Sequence, residues 1–107
     1  TRATSPRART PMPPLGSFKY TIHGKVQGVY FRKYTDEHAR SLGLVGWVMN
    51  TDAGTVVGEA QGDKGNLAKM RVWLASKGSP KSTITKAEFS DERAVEALDY
   101  SKFEVRR

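Results

Sequence analysis

The sequence of 107 residues contains no cysteine and only two histidines, His23 and His38. Without cysteine there is no disulfide, no thiolate nucleophile and no cysteine-ligated metal, and a reducing, cytoplasmic location is expected. The two histidines do not form a spacing typical of zinc or haem ligands. The sequence therefore predicts a protein with no metal site and no cofactor.

Long apolar runs are also missing. No segment approaches the roughly 18 apolar residues that a membrane-spanning helix requires. The N-terminal region has no continuous apolar stretch of the kind found in secretory signals. We therefore expect no association with a membrane. No feature of the sequence requires a second copy of the chain, so a monomer is expected.

Acidic residues are absent from residues 1–16, where Arg2, Arg7 and Arg9 lie among proline, threonine and serine. This composition buries too little apolar surface to offset its ordering entropy. Residues 1–16 are therefore predicted to be a flexible, basic, proline-rich tail, of which a transit-peptide remnant or an artificial leader are possible origins. The single domain predicted at residues 17–107 retains 15 Lys and Arg against 11 Asp and Glu, a net charge of +4 that favours anionic partners.

The pattern of apolar residues predicts an α+β domain. Apolar runs rich in β-forming residues predict strands at residues 18–23, 44–49, 55–61, 83–89 and 100–106. Helical spacing predicts a helix over residues 31–42 and a second one that begins at Asp63 or Asn66 and ends before Gly78. The order β-α-β-β-α-β with a short C-terminal strand is typical of a ferredoxin-like, split β-α-β sandwich. In that fold, two helices cover one face of a mostly antiparallel sheet.

The loop between the first predicted strand and helix is bounded by Gly24 and Gly28. Glycine adopts backbone angles closed to other residues, so successive N–H groups can turn towards one point and bind an anion at a helix N-terminus. Arg32 falls in the first helical turn, where a cation opposes the helix dipole unless an anion lies beside it. Its planar guanidinium also matches phosphate geometry. Glycine turns and surface arginines are each common, but together they indicate a phosphate site.

Asn50 opens the turn that follows the second predicted strand. An asparagine at such a position usually serves as a turn residue. A functional role would depend on tertiary contacts that spacing alone does not supply.

Two longer motifs carry a resemblance to a known family. Residues 24–32 read GKVQGVYFR and residues 43–56 read GLVGWVMNTDAGTV. They resemble the two acylphosphatase signatures, G-x-V-Q-G-V-x-F-R and G-x-x-G-x-V-x-N-x-x-x-G-x-V. Gly62, Trp73 and the pair Ser79-Pro80 also fall where the family usually has them. The resemblance covers residues 18–107, essentially the whole predicted domain.

The resemblance implies an enzyme that hydrolyses the carboxyl-phosphate bond of acyl phosphates to a carboxylate and inorganic phosphate. Such enzymes need no metal and form no covalent intermediate. The phosphate-binding arginine of the family corresponds to Arg32, and its water-orienting asparagine corresponds to Asn50. The phosphoryl oxygens would be bound by backbone N–H groups of the loop formed by Val26, Gln27, Gly28, Val29, Tyr30 and Phe31.

Two other functions fit parts of the sequence. A non-catalytic module for phosphorylated ligands would use Arg32 and the loop, with Asn50 only in a turn, although the presence of both residues favours the enzyme. An RNA-binding role would suit a basic ferredoxin-like domain, but no predicted strand carries the aromatic RNA-binding pattern and the basic residues are scattered. We therefore expect acyl phosphates and inorganic phosphate as ligands, and no nucleic-acid partner.

Overall fold

The computed structural model describes residues 14–106, and predictions for residues 1–13 lie outside this range. The elements follow the predicted order: β1 (Leu15–Lys25), α1 (Phe31–Ser41), β2 (Val45–Asn50), β3 (Val56–Asp63), α2 (Lys64–Val72), a π-helical turn (Trp73–Lys77), β4 (Thr83–Val95) and β5 (Phe103–Arg106). In the described part of the chain, no helix is long and apolar enough to cross a bilayer.

The strands form one sheet in the order β4-β1-β3-β2-β5. The pairs β1–β3, β1–β4 and β2–β3 are antiparallel, whereas β5 runs parallel to β2. Because β3 lies between β1 and β2, the unit β1-α1-β2 is split, and the predicted ferredoxin-like α+β fold is confirmed. This topology places β5 directly beside the strand that ends at Asn50.

Several boundaries differ from those predicted. β1 begins at Leu15 rather than Phe18, so Leu15 and Gly16 of the predicted tail are paired in the sheet with both β3 and β4. β4 continues six residues beyond the predicted end at Phe89, because its second half pairs with the first residues of β1. The side chains of this second half are mostly exposed and charged, so the sequence has no apolar alternation there from which a strand could be predicted.

One face of the sheet and the two helices enclose the apolar core. The sheet contributes Phe18, Tyr20 and Ile22 from β1, while α1 buries Phe31, Thr35 and Ala39. The second helix contributes Leu67 and Met70. The Asp63 carboxylate caps this helix by accepting a hydrogen bond from the Asn66 N–H at 3.0 Å, which is one of the two predicted starts.

The opposite face of the sheet carries a polar network. The buried Glu59 carboxylate accepts hydrogen bonds from the Tyr100 hydroxyl at 2.8 Å and the Ser17 hydroxyl at 3.2 Å. Tyr100 accepts a further bond from the Trp47 indole, and the Arg106 guanidinium lies 4.8 Å from the centre of the Trp47 ring. These contacts hold the β4–β5 connection against the sheet and fix β5 at its edge.

Candidate active site

The loop at residues 26–30 joins β1 to α1 and is anchored by its apolar side chains. Val26 and Val29 are buried in the core, so the loop is fixed to the body of the protein. Gly28 and Tyr30 both have positive φ, 75° and 61°. Glycine adopts this conformation readily, whereas for tyrosine it costs about 1–2 kcal/mol. Two left-handed residues within three positions bend the backbone sharply into the helix.

The N–H groups of this loop have few partners of their own. Within residues 14–106, no backbone N–H of residues 26–30 donates to a backbone carbonyl outside regular structure, and the first bond of α1 runs from the Tyr34 N–H to the Tyr30 carbonyl at 3.1 Å. The N–H groups of the first helical turn therefore lack intrahelical acceptors. The first turn of α1 also contains no acidic residue and has no side-chain cap. The loop and the helix start thus present donors suited to an anion.

Gln27 joins this loop to the turn that follows Asn50. Its side-chain amide donates to the carbonyls of Thr51 at 2.8 Å and Thr55 at 2.9 Å. Sequence reasoning placed Gln27 in the loop only for its backbone. The structure gives its side chain a separate role, because it fixes the distance between the loop and the end of β2.

Arg32 lies in the first turn of α1, and its guanidinium is held by β5. Nη1 donates to the Arg106 carbonyl at 3.1 Å. A guanidinium has five N–H donors in a fixed plane, so this bond orients the group and leaves further donors for a ligand. The contribution of β5 was missed by sequence reasoning, because it depends on the order of strands in the sheet.

Asn50 is the last residue of β2, and its side-chain oxygen is unusual. Oδ1 is buried and accepts no hydrogen bond from the described part of the chain. A buried acceptor without a donor costs about 1–3 kcal/mol. An acceptor of this kind suits a water molecule or a ligand that donates a hydrogen bond.

Arg32, Asn50 and the loop meet in one cavity of about 540 Å³. Its lining residues are Val26, Gly28, Tyr30, Phe31, Arg32, Lys33, Asp36, Asn50 and Val105. The structure therefore brings together both residues predicted to be catalytic and four of the six predicted loop residues. The other two, Gln27 and Val29, support the loop from outside the lining.

Three lining residues were not predicted. Lys33 adds a second cation beside Arg32, while the Asp36 carboxylate is paired with Arg40 at 2.8 Å. The local charge is therefore positive, which suits an anionic ligand. Val105 lines the cavity from β5. It is there because β5 pairs with β2, a neighbour that the sequence pattern does not specify. Among residues 14–106, no group of three or more His, Asp or Glu side chains is placed to hold a metal ion.

His38 lies outside this cavity. Its ring stacks on Trp73 with centroids 4.9 Å apart. Partial burial, together with the nearby Lys77 ammonium, lowers the pKa of His38 below its ordinary value. These contacts give His38 a packing role against Trp73.

Known proteins resemble this chain in both sequence and structure. The family model described as Acylphosphatase matches residues 18–105. Acylphosphatase-1 of Xenopus tropicalis is 54% identical over 89 residues, which cover 83% of this chain and 91% of that protein. Acylphosphatase-1 of Homo sapiens is 53% identical over 91 residues, covering 85% and 92%. The structure of an acylphosphatase from Coxiella burnetii superposes with a TM-score of 0.77 at 32% identity, covering 87% of this chain and 94% of that one.

Proposed function

The chain belongs to the acylphosphatase family and hydrolyses acyl phosphates to a carboxylate and inorganic phosphate, and we propose that Arg32, Asn50 and the loop at residues 26–31 perform this reaction. The observation that carries the proposal is the shared cavity. It is lined by Arg32, by four residues of the loop and by Asn50, whose buried Oδ1 accepts no hydrogen bond from residues 14–106.

Arg32 and the loop bind the phosphoryl group. The N–H groups of the loop and of the first turn of α1 donate to the phosphoryl oxygens, and the guanidinium donates to the same oxygens from the side. In the transition state, charge spreads over the three equatorial oxygens, so fixed donors around them lower the barrier. The bond from Arg32 to the Arg106 carbonyl keeps the guanidinium oriented before the substrate binds.

Asn50 orients the attacking water. Its Oδ1 accepts a hydrogen bond from the water and fixes the direction of the lone pair that attacks phosphorus. As the new oxygen–phosphorus bond forms, the bond from phosphorus to the acyl oxygen breaks and its electron pair leaves with the carboxylate. An amide does not take up the proton, which passes to solvent or to a phosphate oxygen. A carboxylate is a good leaving group, so little acid catalysis is needed.

We also propose that the protein acts as a monomer in the cytoplasm. All the residues assigned to the reaction come from one chain, so a monomer suffices for activity. The lack of cysteine is compatible with a reducing compartment, and we propose the cytoplasm.

The test compares Arg32→Ala with Asn50→Ala, using benzoyl phosphate as substrate and inorganic phosphate as a competitive inhibitor. Arg32→Ala should lower turnover and raise the inhibition constant of phosphate roughly tenfold or more, because charge-assisted bonds are lost. Asn50→Ala should lower kcat roughly a hundred- to a thousandfold, by analogy with loss of one positioned polar group. Its phosphate affinity should stay within about twofold of the original, since only the water is affected.

Arg71→Ala is the matched control, because it removes a guanidinium from α2, outside this cavity. Thermal melts establish that all variants are folded. A folded Asn50→Ala protein with nearly full activity would show that Asn50 does not orient the water and serves only as a turn residue. Unchanged phosphate affinity in Arg32→Ala would show that Arg32 does not bind the phosphoryl group.

A further inference from the structure

Tyr30 occupies a position that packing does not explain. It is the N-cap residue of α1, with φ 61° and ψ 26°, and its side chain makes no capping bond. Residues other than glycine, asparagine and aspartate rarely adopt this left-handed conformation. The Tyr30 residue is nevertheless 74% exposed, so the rest of the described protein gains little from the aromatic ring. A large apolar group held in a strained conformation with few contacts is available to a ligand.

Tyr30 lines the cavity, and most of the other apolar lining residues are hidden. Val26 and Phe31 also line the cavity, but each is only 1% exposed. Val105 of β5 is 41% exposed. Among the described apolar lining residues, Tyr30 and Val105 are therefore the ones with exposed surface. Tyr30 directly precedes α1 and Val105 lies in β5, and these two elements are joined by the bond between Arg32 and the Arg106 carbonyl.

The geometry of the reaction places the acyl group on the side of phosphorus opposite the attacking water. In phosphoryl transfer the attacking and leaving oxygens lie on opposite sides of phosphorus. With the phosphoryl group at Arg32 and the water at Asn50, the acyl group projects away from both. An apolar acyl group gains from apolar surface beside the phosphoryl site, and the exposed apolar residues that line the cavity are Tyr30 and Val105.

We propose that the Tyr30 ring, assisted by Val105, binds the acyl group and makes the enzyme selective for acyl phosphates with aromatic or bulky apolar acyl groups. This inference rests on the proposed roles of Arg32 and Asn50. Stacking on the ring adds to the burial of apolar area, so a benzoyl group gains more from Tyr30 than an acetyl group does.

The test compares benzoyl phosphate with acetyl phosphate through the ratio of their kcat/KM values. Tyr30→Asn removes the ring and keeps a residue that tolerates the left-handed conformation. It should lower the benzoyl-to-acetyl ratio roughly three- to tenfold. Tyr30→Phe should keep the ratio of the original protein, and Val105→Thr should lower it by a smaller factor. Tyr34→Ala removes an aromatic ring one turn further along α1, outside this cavity, and should leave the ratio unchanged.

The outcomes separate this inference from the proposed function. A Tyr30→Asn protein with an unchanged ratio overturns the role of the ring, and so does an equal loss in Tyr34→Ala. The inhibition constant of inorganic phosphate, measured in the same variants, reports on the phosphoryl site alone. If phosphate does not compete with either substrate in the original protein, the phosphoryl site itself is wrongly assigned.

Discussion

The Arg32 guanidinium in α1 donates a hydrogen bond to the backbone carbonyl of Arg106 in β5, 3.1 Å away. The two residues are 74 positions apart in the chain. The Arg106 guanidinium in turn lies over the Trp47 ring on the opposite face of the sheet. The orientation of the proposed phosphate-binding group therefore depends on the edge strand and on the contacts that fix that strand.

Arg32→Lys should restore little of the activity that Arg32→Ala loses. Lysine keeps the positive charge, but its ammonium is a point charge. It cannot donate to the Arg106 carbonyl and also form the two parallel hydrogen bonds to phosphoryl oxygens that a planar guanidinium forms. We expect kcat/KM for benzoyl phosphate to fall at least about tenfold, which corresponds to loss of one charge-assisted bond. Steady-state kinetics on the folded variant measures this. Activity close to that of the original protein would mean that charge alone suffices.

Gln27→Glu should be more harmful than Gln27→Ala. The native amide donates to two carbonyls, those of Thr51 and Thr55. Alanine only removes these bonds, each worth about 0.5–1.5 kcal/mol. A glutamate carboxylate cannot donate, so it would place its oxygens against the two carbonyl oxygens of Thr51 and Thr55. We expect both variants to lose turnover and thermal stability, with the glutamate variant losing more of each. Equal effects of the two substitutions would show that the tie between loop and turn does not control the site.

Excess chelator should leave activity unchanged, and inorganic phosphate should inhibit competitively. In the proposed mechanism, Arg32 and the loop N–H groups supply the positive field around the phosphoryl oxygens. The product carries the same oxygens and therefore competes with the substrate. Initial rates with and without chelator, and across phosphate concentrations, measure both effects. A loss of activity that Mg²⁺ or Zn²⁺ specifically restores would contradict the mechanism.

Removal of residues 1–16 should destabilise the domain more than removal of residues 1–13. Leu15 and Gly16 pair with β3 and β4, and the Pro14 carbonyl accepts a hydrogen bond from the Lys64 N–H. The longer truncation removes these contacts and should lower Tm by about 4–8 °C, the shift expected for a loss of about 1 kcal/mol. The shorter truncation should keep turnover within a few-fold of the full chain. Identical melts for the two proteins would show that these pairs contribute no stability.

Protonation of His38 should lower stability. Burial and Lys77 lower the pKa of this residue in the folded state, so the unfolded chain binds its proton more readily. The stabilising contribution is complete above the ordinary histidine pKa of about 6.5 and is lost as the pH falls towards the lower folded value. His38→Phe keeps a ring against Trp73 but does not titrate. Denaturant melts between about pH 5.5 and 7.5 should therefore show a smaller loss of stability for the variant than for the original protein.

The sequence predicts the fold, because its signals are local, and it singles out Arg32 and Asn50, which the structure places in one cavity. Alternating apolar residues mark β1, and two long motifs carry Arg32 and Asn50. The resemblance, rather than spacing, identifies the possible role of Asn50. The burial of its Oδ1 without a donor among the described residues depends on tertiary contacts that no local pattern specifies.

The sequence does not predict what depends on distant pairings. Val105 and the Arg106 carbonyl belong to the site because β5 lies next to β2, and no local pattern specifies this neighbour. The extension of β4 to Val95 is not predicted for a related reason. Its residues are held in the strand by pairing with β1, and they are mostly exposed, so they show no alternation of apolar side chains.

Because β5 is the last strand in the described fold, the cavity that holds Arg32 and Asn50 is completed late during synthesis. The ribosome makes Arg32 long before the Arg106 carbonyl to which it donates, and β5 is the last element of the described fold. At typical rates of about 5–20 residues per second, those 74 positions take about 4 to 15 seconds to translate. During that interval a nascent chain can form its loop and first helix, but its arginine lacks the acceptor that orients it. In the proposed mechanism, catalysis therefore requires that β5 has emerged from the ribosome and docked beside β2.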